Sequence, residues 1–117
     1  MTGVPRDSER TVELDTVFDV LRDSRRRYVL YVLQEADESE VPFEAVVEGV
    51  RRYEAGDEVG AELPPRQFVR TDLVHVHLPK LESVGVLDRD PRTGVVQFHG
   101  DPLLEEWAER TREFELR

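Results

Sequence analysis

The apolar positions of the chain fall into four stripes at helical spacing, two short strand-like runs and a fifth helical stripe. Leu14, Val17, Phe18 and Leu21 stand at i, i+3, i+4 and i+7, with Glu13, Asp15 and Asp19 on the other side. Glu13 and Asp15 suit the positive end of that helix. Asp23-Ser24 interrupts it, with Ser24 in the N-cap place. A second helix is predicted through Arg26, Val29, Leu30 and Leu33. A third opens at Pro42, whose missing N–H costs nothing in a first turn, and carries Phe43, Val46, Val47 and Val50 at the same spacing. Glu54 to Pro65 holds two Gly, two Pro and four acids and reads as an acidic loop.

A fourth helix is predicted from Arg66 to Val84, with Val74, Leu78 and Leu81 as its core stripe. At about 100° per residue that choice turns Val69, Asp72, Val76 and Lys80 outward, with His75 and Phe68 at the edge. Pro79 lies inside the helix and should bend or split it near His75. Gly85 is a C-cap. Val86 to Asp90 and Val95 to His99 read as strands joined by Pro91-Arg92-Thr93-Gly94, the composition of a hairpin loop. Asp101 caps a fifth helix, opened by Pro102 and running from Leu103 towards Phe114. Residues 1–10 lack periodicity and are read as a flexible arm, 11–100 as the domain and 101–117 as a C-terminal helix. The expected fold is mainly α with a small β-hairpin, in the element order of a winged helix-turn-helix with an additional C-terminal helix.

Length changes this picture little: 117 residues fit one domain. The chain has no Cys, which excludes disulfides, thiolate catalysis and cysteine-based metal centres. It has no apolar run of spanning length, so no membrane partner is expected. The net charge of −10 is more telling, because Lys80 is the only Lys among 16 basic residues and Ile is absent. Dense carboxylates with almost no Lys keep a protein hydrated in concentrated salt, so a halophilic, cytoplasmic protein is expected, against the plainer alternative of an ordinary acidic one. Residues 66–100 escape the acidity, with five basic and four acidic side chains. All three His lie there.

Val74-His75-Val76-His77-Leu78-Pro79-Lys80-Leu81-Glu82-Ser83-Val84-Gly85-Val86-Leu87 resembles the junction of recognition helix and wing in ArsR/MarR-type winged-helix regulators. Leu14 to Leu21, followed by Arg25-Arg26-Arg27-Tyr28-Val29-Leu30, looks like the opening of the same class. The variant His-Leu-Pro-Lys-Leu is closer to a large haloarchaeal winged-helix family of unassigned function. The resemblance spans roughly residues 12–99 and specifies fold better than function. It implies a homodimeric DNA-binding transcriptional regulator. The fourth helix would enter the major groove through Arg66, Arg70, Thr71 and His75, with Arg89 and Arg92 of the wing on the DNA backbone. Leu103, Leu104, Trp107 and Phe114 would form the dimer interface. The chain departs from the class at Glu54 to Pro65, where a turn of about 3–4 residues is usual. The alternative reading is a protein–protein interaction module that kept the fold and lost DNA binding, favoured by the apolar outward residues Val69 and Val76.

Other features have plainer readings. Arg25, Arg26 and Arg27 oppose the dipole of the helix they open, so they are either a phosphate clamp or ion pairs with Asp19, Asp23 and Glu54. His75 and His77 lie about 200° apart on a helix and cannot share a metal. His77 is expected to be a hydrogen-bonded core histidine, and neither metal nor cofactor is expected. No nucleophile–base pattern or phosphate-cradling Gly loop marks an enzyme.

Overall fold

A computed structural model describes residues 12–116, so the predicted arm, residues 1–10, lies outside the described residues. Helix α1 (Leu14–Leu21) and helix α2 (Ser24–Glu35) meet at Asp23. The cap is Asp23 and not Ser24: its carboxylate accepts from the backbone N–H of Arg25 and Arg26. That negative charge at the helix N-terminus offsets part of the cost of three successive arginines there.

Strand β1 (Glu40–Pro42) leads into helix α3 (Phe43–Ala55), so Pro42 ends a strand and caps the helix rather than opening its first turn. Strands β2 (Leu87–Arg89) and β3 (Val95–Phe98) form the expected antiparallel pair. β1 adds to the free side of β3, with Val41 opposite Val96, giving a three-stranded sheet in the order β1-β3-β2 instead of a lone hairpin. Pro42 is tolerated because β1 is an edge strand. The turn between β2 and β3 is built on Asp90, whose carboxylate accepts from the N–H of Arg92 and Thr93, and closes at Gly94 with φ 78°.

Helix α4 (Arg66–Asp72), a π-helical turn (Leu73–His77) and helix α5 (Leu78–Ser83) follow one another as a single compound helix. Pro79 has no N–H to offer. Just before it the helix widens, and Leu78 N–H reaches back five residues to the Leu73 carbonyl. The helix therefore does not split at His75. The wide turn inserts an extra residue and shifts the core stripe to Val69, Leu73, His77, Leu78 and Leu81, all buried. A uniform helical wheel anchored on Val74, Leu78 and Leu81 is wrong upstream of the bulge. Val69 is fully buried and does not face outward, and Val74 is half-buried.

Helix α6 (Pro102–Glu115) is capped by Asp101, whose two oxygens accept from Leu104 N–H and Val12 N–H. It lies across α1 and α2 of its own chain. Leu104 is 1% exposed and Ala108 joins it in the core with Val17, Val20, Leu30 and Leu33. Leu104 therefore cannot serve a dimer interface, because its own domain has already buried it. Leu103 and Trp107 are half-buried, and Phe114 is exposed. The end of α6 is pinned where Arg27 and the hydroxyl of Tyr31 both hydrogen-bond the Glu115 carboxylate. Burial pushes the Tyr31 phenol up to about 12.

Candidate nucleic-acid interface

With Val69, Leu73, His77 and Leu81 turned into the core, the compound helix exposes Gln67, Thr71 and His75, spaced at i, i+4 and i+8. Gln67 Nε2 donates to Thr71 Oγ1 at 3.2 Å. Phe68 and Val76 flank this polar line and are exposed by 68% and 50%. Two of the predicted contact residues, Thr71 and His75, thus lie on the outer face, and Gln67 joins them. The signal for Gln67 in the sequence is its place one helical turn before Thr71.

Arg66 and Arg70 are placed differently. They lean towards α3, where Glu44 and Glu48 stand one turn apart. Arg66 donates to Glu48 Oε1 at 2.8 Å and to Glu44 Oε1 at 3.1 Å. Arg70 Nε donates to the other Glu44 oxygen at 3.0 Å. One carboxylate thus bridges two guanidinium groups, and the hydrogen bond from Arg70, with further help from Arg66, holds the Glu44 carboxyl below the usual carboxylate range. Glu48 is lowered likewise, first by Arg51 and then by Arg66.

Arg89 comes from β2 to the same place. Its guanidinium carbon lies 4.7 Å from the Phe43 ring centre and that of Arg70 lies 5.4 Å from it. The Arg89 Nε is buried with no hydrogen-bond partner. The structure therefore brings Arg66, Arg70 and Arg89 together around the start of α3. Arg92 is exposed in the β2–β3 turn. Glu44 and Glu48 carry no sequence signal beyond their spacing, because acids are abundant throughout the chain.

The three consecutive arginines do not form a phosphate clamp. Arg25 ion-pairs with Glu54 and Asp72, Arg27 with Glu115, and Arg26 donates to the carbonyls of Asp19 and Val20. They lock α2 to α3, α4 and α6. Glu54, expected in the loop, is the penultimate residue of α3 and holds Arg25.

His77, 4% exposed, completes this network. Its Nδ1 faces an Arg26 nitrogen at 3.4 Å and its Nε2 lies 2.8 Å from Asp72 Oδ2. A guanidinium can only donate, so Nδ1 accepts and the ring proton sits on Nε2, donated to Asp72. Burial works to raise the Asp72 carboxyl, but the Arg25 hydrogen bond and His77 outweigh it and its pKa lies below the usual value. His77 is a core histidine that ties the π-turn to α2; its partners are side chains, not backbone groups freed by Pro79.

A family described as a domain of unknown function, DUF7344, matches residues 18–97. The chain belongs to that family. The match begins inside α1 and ends in β3, so the DUF7344 region contains the sheet, the compound helix and every residue of the arginine–glutamate cluster, and leaves out α6. No curated protein and no solved structure matches the chain.

Proposed function

We propose that this DUF7344 chain is a winged helix-turn-helix protein that binds double-stranded DNA as a homodimer and regulates transcription in a salt-rich cytoplasm. Helix α2, β1, α3, the compound helix, β2 and β3 follow one another in the order of the winged-helix unit, and the sheet order β1-β3-β2 suits it. One observation carries the reading. The compound helix buries one side completely and presents Gln67, Thr71 and His75 in a line on the other. Gln can pair bidentately with adenine and Thr can contact either a base edge or a thymine methyl. Arg92 in the β2–β3 turn would meet the DNA backbone.

The dimer would form on the side of α1 and α6. Phe18, 49% exposed, packs edge-to-face on Trp107 at 5.6 Å, with Leu14 and Leu103 near them in sequence on the same helices. A large aromatic pair at the junction of two helices suits the centre of a two-fold interface. DNA binding requires recognition helices about 34 Å apart in that dimer. The second reading, an interaction module without DNA, is favoured by exposed Phe68 and Val76 and by the pairing of Arg66 and Arg70 with carboxylates.

Selection from a random duplex library in concentrated KCl tests the proposal. The expected result is enrichment of a palindrome-like motif that is lost with Gln67→Ala and His75→Ala. No enrichment from a folded dimer would favour the interaction module.

A further inference from the structure

We propose that the Glu44 carboxylate occupies the place of a DNA phosphate, so that Arg66, Arg70 and Arg89 form a phosphate site that the chain keeps filled with its own acid. The inference rests on the DNA-binding reading above. Glu44 presents one oxygen to each of two guanidinium groups, at 3.1 Å and 3.0 Å, the bridging geometry that a phosphate's two free oxygens would adopt. A third guanidinium, that of Arg89, lies against the same Phe43 ring as Arg70, at 4.7 Å and 5.4 Å from its centre, and no carboxylate pairs with it among the described residues.

The Glu44 pairs are not needed to hold the fold. Their side chains are 50%, 43% and 42% exposed, and ion pairs of that exposure add little to stability. Val46, Val47 and Val50 of α3 and Val69 and Leu73 of the compound helix are fully buried, so the core and not these ion pairs holds the two together. Removing the charge at Glu44 should therefore free Arg70, and leave Arg66 with Glu48 alone, without unfolding the domain.

A carboxylate in this place has two consequences for binding. Phosphate must displace it, and once displaced it remains nearby as a repelling charge. It therefore suppresses indiscriminate affinity for nucleic acid and leaves discrimination to the Gln67–Thr71–His75 face. Glu44 is a positioning and specificity residue in this scheme and contacts no base.

The test compares wild type, Glu44→Gln and Glu113→Gln by fluorescence anisotropy on a mixed-sequence duplex over a series of KCl concentrations. Glu113 is exposed on α6, and its variant changes the net charge equally at a remote site. Glu44→Gln should bind about tenfold tighter than Glu113→Gln, and the slope of log K against log salt should steepen by about one unit, the value of one added phosphate contact. Circular dichroism melting checks that all three are folded. Binding by wild type with Glu44→Gln no tighter than Glu113→Gln overturns the phosphate-mimic role and leaves the DNA reading standing. No binding by any of the three overturns both.

Discussion

The guanidinium of Arg27, one turn into α2, forms two hydrogen bonds of 2.9 Å and 2.8 Å with the Glu115 carboxylate, 88 residues away at the end of α6. The pair is four-fifths removed from solvent, and Tyr31 adds a third hydrogen bond to the same carboxylate. A bidentate, partly buried arginine–carboxylate pair is stronger than an exposed one. Glu115→Gln should cost about 1–3 kcal/mol in urea unfolding, and Arg112→Gln, at a more exposed pair, should cost less.

The same pair sets an acid limit. Arg27, by its hydrogen bond, holds the folded Glu115 carboxyl below its ordinary 4.5, and Asp72 is also lowered from 3.8. A carboxyl depressed in the folded state contributes stability that is present above its unfolded pKa and is lost as pH falls through the folded value. Stability should therefore be flat above about pH 5 with respect to these groups and decline below 4.5. In Glu115→Gln the decline should be shallower. Unfolding curves from pH 6 to 3 read this directly, and an equal slope in both proteins would contradict it.

Leu104 on α6 and Phe18 on α1 should behave differently. Leu104 lies in the core of its own chain, so Leu104→Ala should cost about 2–4 kcal/mol at every protein concentration. Phe18, which packs on Trp107 at the surface, is assigned to the dimer. Phe18→Glu should yield a folded monomer by sedimentation velocity. A dimer that survives this change would remove α1 from the interface.

DNA contacts should separate into two kinds. Arg92→Ala should weaken binding to all sequences alike and lower the salt slope by about one unit. Gln67→Ala should cost about 1–3 kcal/mol on a selected site and relax the preference at one base position. Competition binding with single-base variants of the site distinguishes the two.

The helices were legible because each carries a long apolar stripe: α1, α2, α3 and α6 fall where Leu14, Val29, Val46 and Trp107 place them. The β2–β3 pair was marked by the strand-like runs around Pro91 and Gly94. β1 was not legible, because a three-residue edge strand with one inward residue, Val41, has no periodicity to detect. The outer face of the compound helix was half legible. Pro79 signalled a disturbance, but not that the helix would widen over Leu73–His77 and carry Val69 inward while Gln67 stayed out. The pairing of Arg66 and Arg70 with Glu44 is a tertiary contact across 22–26 residues, and in so acidic a chain no single Glu announces itself.

The most direct measurement is a backbone amide NMR titration of the whole chain with a mixed-sequence duplex. The account predicts the largest shift changes at residues 66–76 and at the β2–β3 turn around Arg92, with α6 unaffected. Changes concentrated on α6 or spread evenly, with residues 66–76 unmoved, would contradict it.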